Sequence, residues 1–112
     1  MMGSAFTAIV VDLAKLRDYC LSDSHPRGRH KARVFRSHLG LTNADAELLR
    51  QALLDAATSR RDELKPSDAD EYGQRYVLDF PIQTDAGAAT IRSAWIVLTG
   101  ETVLRLTSCY VL

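Results

Sequence analysis

Apolar positions recur at helical spacing through the first half of this chain and at alternate positions through much of the second. Asp12 stands ahead of Leu13, Leu16 and Cys20, a spacing that predicts a short capped helix, and Ser22-Asp23-Ser24-His25-Pro26 stops it. From about Arg29 a second helix places Ala32, Phe35 and Leu39 on one stripe, with Gly40 positioned to end it. Thr42-Asn43-Ala44-Asp45 resembles a capping box with Asp in place of Glu, and Leu48, Leu49, Ala52, Leu53 and Ala56 predict a third helix behind it. The polar continuation from Ser59 to Glu71 reads as a mobile loop, because Pro66 disfavours further helix.

Three strands are predicted beyond that loop, at Arg75–Thr84, Ala88–Leu98 and Thr102–Val111. Asp85-Ala86-Gly87 and Thr99-Gly100-Glu101 are short enough to close hairpins, which gives an antiparallel meander. In the last strand Leu104, Leu106, Tyr110 and Leu112 share one parity and are expected against the helices, while Arg105 and Thr107 point outward together. The middle strand is apolar on both parities, as a strand buried on both faces would be. The expectation is an α+β fold, with about three N-terminal helices packed on one face of a C-terminal antiparallel β-meander.

A chain of 112 residues with 46% apolar content suits a single domain, residues 1–112. No apolar run approaches the roughly 20 residues of a membrane-spanning helix, and Ala8-Ile9-Val10-Val11 lacks the flanks of a signal peptide. A cytoplasmic location without membrane partners is therefore expected, and Cys20 and Cys109 read as reduced thiols packed like small hydrophobes.

The balanced charge, 14 Lys and Arg against 14 Asp and Glu, conceals a segregation. Ser24 to Arg36 carries five cations and two histidines, no acid lies between Asp23 and Asp45, and eight acids fall from Asp45 to Glu71. A one-sided positive field steers anionic ligands, although a charged run also serves as plain solvated surface. His25, Lys31, Arg105 and Thr107 are the residue types that metal-independent phosphodiester cleavage uses. Histidine titrates near neutrality, arginine presents a planar fork to phosphate, and a threonine hydroxyl donates a further bond. Each also has an ordinary structural reading: His25 as a turn residue, Lys31 as a snorkelling rim residue, Arg105 and Thr107 as exposed strand positions. Arg29 and Arg33 flank the second helix as phosphate-binding candidates, and Tyr72 and Tyr76 either stack on bases or belong to the core. His25, His30 and His38 lack zinc-ligand spacing and no phosphate-loop motif is present, so neither a metal nor another cofactor is expected.

The blocks His25-Pro26-Arg27-Gly28-Arg29-His30-Lys31-Ala32-Arg33-Val34-Phe35, Leu39-Gly40, Tyr72-Gly73-Gln74-Arg75-Tyr76, Ser93-Ala94-Trp95-Ile96-Val97 and Arg105-Leu106-Thr107-Ser108-Cys109-Tyr110 together resemble a small bacterial domain family of uncharacterised function. The helices-then-meander layout is similar to the superfamily containing barnase, EndoU, colicin nucleases and RelE-type toxins. That resemblance implies a metal-independent endoribonuclease toxin. His25 would be its general acid or base, Lys31 and Arg105 its phosphate-stabilising cations, and Thr107 an auxiliary donor. RNA would be its substrate, and a cognate antitoxin or immunity protein its partner. The competing expectation is a non-catalytic protein-binding module of inhibitor, immunity or phage type, docking through its charged surface. Convergence of His25, Lys31 and Arg105 on one cleft favours the enzyme, and scatter favours the binder.

Overall fold

Helices begin and end where side chains or turns satisfy their open backbone groups. In the computed structural model, which describes residues 6–22, 24, 26, 27 and 29–112, Asp12 accepts from the Ala14 amide at 2.9 Å and opens α1, Leu13–Lys15. The chain then widens into a π turn, Leu16–Cys20, closed by the Leu21 amide on the Leu16 carbonyl at 2.8 Å. The wider turn lets Leu16, Cys20 and Leu21 all face inward. Helix α2, Arg29–Leu39, buries Ala32, Phe35 and Leu39 and stops at Gly40, whose φ of 67° is left-handed and whose amide bonds the Arg36 carbonyl at 2.9 Å. The capping box at Thr42 forms as its sequence predicts. Asp45 accepts from the Thr42 amide at 2.9 Å, and a 3-10 turn, Asn43–Asp45, leads into α3, Ala46–Ser59.

Among the described residues five strands make one mixed sheet: β1 (Ala8–Val10), β2 (Lys65–Asp70), β3 (Gly73–Thr84), β4 (Gly87–Leu98) and β5 (Val103–Val111), in the order β1-β5-β4-β3-β2. The α+β class, the N-terminal helices and the β3–β4–β5 meander are as expected. Two outer strands are not. β1 runs parallel to the start of β5, pairing Ala8 to Val10 with Val103 to Arg105, so the sheet is not purely antiparallel. β2 occupies the segment expected to be a loop. All six of its residues are exposed, so no alternation marks it, and Pro66 is tolerated because β2 is an edge strand.

A third departure re-aims side chains. The β4–β5 register slips between Ala94, which faces Ser108, and Trp95, which faces Leu106, leaving Thr107 as the extra residue of a bulge. Parity reverses beyond it. Cys109 is buried, while Tyr110, expected against the helices, pairs with Arg92 on the other face, and Leu112 is 57% exposed. The helix-covered face is built from Leu78, Phe80, Ile91, Trp95, Leu104, Leu106 and Cys109. Trp95 and Ile96 are both buried, but Arg92, Ala94 and Leu98 on the outward side of β4 are only half-buried, so the middle strand is closed on its helix face and partly open on the other.

Within that core Ser93 is the one buried polar side chain among the described residues. Its hydroxyl donates to the Leu78 carbonyl at 2.7 Å and accepts from the Trp95 indole N–H at 2.8 Å. Removing the oxygen orphans the indole donor in a site closed to water. Ser93→Ala is expected to lower the unfolding free energy by about 1–3 kcal/mol, measured by urea titration of Trp95 fluorescence. An unchanged midpoint would show that the indole finds another acceptor.

Candidate functional site

The sheet face away from the helices carries cross-strand rows of polar side chains, because strand alternation puts Asp79, Arg92 and Tyr110 on the side opposite Leu78, Ser93 and Cys109. Asp79 and Arg92 form a two-pronged ion pair, Nε to Oδ1 and Nη2 to Oδ2, each 2.9 Å. The hydrogen bond from Arg92 holds the Asp79 carboxyl below the usual range against the opposing effect of burial, with Lys65 adding a smaller pull. Arg92 is in turn raised, first by Asp79 and then by a hydrogen bond with Tyr110. A carboxyl with a lowered folded pKa contributes stability that is present above its unfolded pKa of about 4 and lost as pH falls through the lower folded value. The pair is more than a third exposed, so the contribution is modest. Asp79→Asn is expected to flatten part of the decline in urea midpoint below about pH 4; an identical acid limb in both proteins would contradict the pairing.

Arg105 lies farther along the same face, opposite Ile96 on one side and Val10 on the other. Its Nε donates to Glu101 at 3.2 Å, and no other hydrogen bond engages the guanidinium among the described residues, which leaves both Nη groups open to a further acceptor. Arg75, opposite Ile96 on β3, bonds Asp70 through Nε at 3.3 Å. Asp70 is held low chiefly by the Tyr72 amide, with Arg75 and the Gly73 amide assisting.

Lys31 reaches this face from the helix side. β1 pairs only with the start of β5, so among the described residues no strand borders the rest of β5, and α2 packs there. The Lys31 ammonium sits 4.8 Å from the Tyr110 ring centroid, a cation–π contact that carries the positive charge of α2 round the sheet edge to Tyr110 and Arg92. Arg29 and Arg33 are exposed on α2. Between Tyr110 and Arg105 lies Ser108, whose hydroxyl oxygen is buried without a hydrogen-bond partner among the described residues.

The sequence-derived candidates thus separate. Lys31 and Arg105 border the same face at its β5 edge. Thr107 sits in the bulge, where its hydroxyl donates to the Ala94 carbonyl at 3.1 Å, so its proton is already committed. Tyr72 is 63% exposed at the β2–β3 turn, across the sheet from β5. Tyr76 packs on the helix side, its ring edge-on to Phe6 at 5.6 Å, and belongs to the margin of the core. His25 lies outside the described residues. Tyr110, Arg92 and Ser108 were missed. The bulge inverted the parity assigned to Tyr110, and nothing local distinguishes Arg92 or Ser108 from ordinary strand residues.

The charge segregation of the sequence becomes spatial. Asp62 and Glu63 with Lys65, Asp79 and Arg92 line a cavity of about 480 Å³ toward the β2 edge, whereas Lys31 of α2 borders the opposite edge at β5. Among the described residues no helix is long and apolar enough to cross a membrane.

Comparison with known proteins adds a family and a fold. The family model described as "Domain of unknown function (DUF6883)" matches residues 4–112. No curated protein matches the chain. Among solved structures the chain is similar to a chain of a contact-dependent growth inhibition toxin–immunity protein complex from Klebsiella pneumoniae 342, with a TM-score of 0.66 and 18% identity over 92% of this chain and 99% of that one. Likeness at that identity speaks for a shared fold, and function rests on the site.

Proposed function

This chain belongs to the DUF6883 family, and from that starting point we propose that it is a toxin domain acting as a metal-independent endoribonuclease at the β5 edge of its open sheet face. The observation that carries the reading is the Lys31–Tyr110 contact, which joins the cationic helix to the face holding Arg92 and Arg105. An RNA backbone lying along β5 meets Lys31 beside Tyr110 and, several residues farther along the strand, Arg105, so the two cations engage different phosphates. Arg105 stabilises the charge that develops on the non-bridging oxygens of the scissile phosphate as the ribose 2′-hydroxyl attacks, and Lys31 holds a neighbouring one. Arg29 and Arg33 extend the positive track for neighbouring phosphates. His25, in the cationic segment ahead of α2 in the sequence, is the group that takes or returns the proton. Thr107 contributes through the bulge, which turns Tyr110 toward the phosphate path. Tyr72 lies at the far margin and serves, if at all, in stacking a distal base.

The similar solved chain comes from a toxin–immunity complex, which supports a cognate partner protein and equally a second reading, a binding protein without catalysis. One observation favours that alternative: a cavity of about 640 Å³ between α3 and the β3–β4 turn, lined by Leu41, Leu48 and Ile82 and rimmed by Asp45, Asp55 and Asp85, suits a protein partner. Incubating the purified chain with total bacterial RNA in EDTA, read by gel and 5′-end mapping, separates the two. Discrete cleavage is expected. Intact RNA beside protein shown to be folded by circular dichroism rejects the nuclease and leaves the binder.

A further inference from the structure

We infer that Arg75 is a second phosphate-binding residue, which grips the scissile phosphate together with Arg105 in a trough that crosses the open sheet face. The inference deepens the RNA reading and rests on it for the identity of the phosphate. Register places the two arginines on either side of Ile96, Arg75 opposite it on β3 and Arg105 opposite it on β5. Two strand spacings separate their Cα atoms, roughly 10 Å, a gap that two long side chains can close around one anion. Ile96 is 7% exposed on a face the helices leave uncovered, and the two arginines are its neighbours in the row. Their aliphatic stems therefore lie over it, which brings the guanidinium heads toward each other.

Both heads are anchored alike. The Arg75 Nε donates to Asp70 at 3.3 Å and the Arg105 Nε to Glu101 at 3.2 Å, and no further hydrogen bond engages either guanidinium among the described residues. Asp70 is opposite Gly73, which is opposite Leu98, and the Glu101 amide bonds the Leu98 carbonyl, so both carboxylates stand at the Leu98 end. A phosphate therefore enters from the other side, where the next row, Val77, Ala94 and Ser108, is short and uncharged. Beyond that row Asp79, Arg92 and Tyr110 rise again, roughly 13 Å along β3 from the arginine row, and the trough between the two walls takes one ribose-phosphate unit. Asp79 is neutralised by Arg92 through both of its oxygens, so the far wall does not repel an anion as a bare carboxylate would. The open Nη fork of each arginine matches two phosphate oxygens, and the two forks meet the group from opposite sides. Arg75 thereby adds a second positive charge at the oxygens on which Arg105 acts.

The test uses a short RNA methylated at every 2′-oxygen, which cannot be cleaved. Its binding is measured by fluorescence anisotropy at fixed ionic strength for wild type, Arg75→Ala, Arg105→Ala, the double variant and Asp70→Asn. Arg75→Ala is expected to weaken binding about 10-fold or more, as loss of a charge-assisted bond does. Because both arginines hold one phosphate, the double variant is expected to lose less than the product of the two single losses. Asp70→Asn removes the ion pair and keeps the guanidinium, so it should bind at least as tightly as wild type; weakening equal to that of Arg75→Ala would assign the pair a structural role and overturn the inference. Circular dichroism shows whether each variant is folded. Should Arg75→Ala not fold, Arg75→Lys, which keeps the charge and loses the fork, is expected to weaken binding by a smaller factor. Unchanged binding in the Arg75 variant, or losses that multiply in the double variant, overturns the clamp and leaves the RNA reading in place. Absence of wild-type binding also overturns the clamp, and the RNA reading falls with it only if RNA stays intact in EDTA.

Discussion

Arg105→Ala is expected to lower RNA cleavage at least about 100-fold while leaving the fold nearly unchanged, because a preorganised cation facing a developing oxyanion is worth about 3–4 kcal/mol. The structural loss is small by comparison. Arg105 holds Glu101 through a single contact in a pair with both side chains more than a third exposed, and exposed ion pairs of this kind contribute about 0–1 kcal/mol. Two further variants separate charge from geometry. Glu101→Gln removes the partner but keeps the guanidinium, and should retain activity. Arg105→Lys keeps the charge but loses the fork, and should fall between wild type and Arg105→Ala. Single-turnover rates on a defined RNA, with Tm recorded for each protein, provide the measurement. Equal loss of activity and of folded protein in Arg105→Ala would assign the arginine a structural role.

The largest stability effect is expected at Leu53. Its side chain is fully buried in the face of α3 that meets the sheet, so Leu53→Ala leaves a cavity and costs about 2–5 kcal/mol in urea unfolding. Leu48, on the same helix, is 51% exposed, and its truncation should stay within about 0.5 kcal/mol of wild type. Similar midpoints for the two variants would contradict the assignment of the buried face of α3.

Much of this molecule was legible before its structure, because its central elements announce themselves locally. The Thr42–Asp45 box, the left-handed Gly40 and the Ala32-Phe35-Leu39 stripe fix α2 and α3 from contiguous residues. Turn residues at Asp85-Ala86-Gly87 and Thr99-Gly100-Glu101 place the hairpins in the same way. Elements that depend on distant pairing left no such trace. The three residues of β1 are too few to show alternation and become a strand only because β5 offers them an edge. β2 is fully exposed, so its polarity reads as loop, and only pairing with β3 makes it a strand.

The candidate site was legible in kind more than in membership. Charge clustering pointed to α2, and an arginine between Leu104 and Leu106 pointed to β5. The bulge at Thr107 then reassigned every side chain after it, which is how Tyr110 changed from an expected core residue to the bridge between Lys31 and Arg92.

The most direct test of the central claim is the chemistry of the RNA ends produced in EDTA. Attack by the ribose 2′-hydroxyl, with Arg105 stabilising the scissile phosphate, predicts 5′-hydroxyl ends and 2′,3′-cyclic phosphates, together with no cleavage of a substrate carrying 2′-deoxyribose at the scissile position. Fragments bearing 5′-phosphates, or continued cleavage of the 2′-deoxy substrate, would contradict the account.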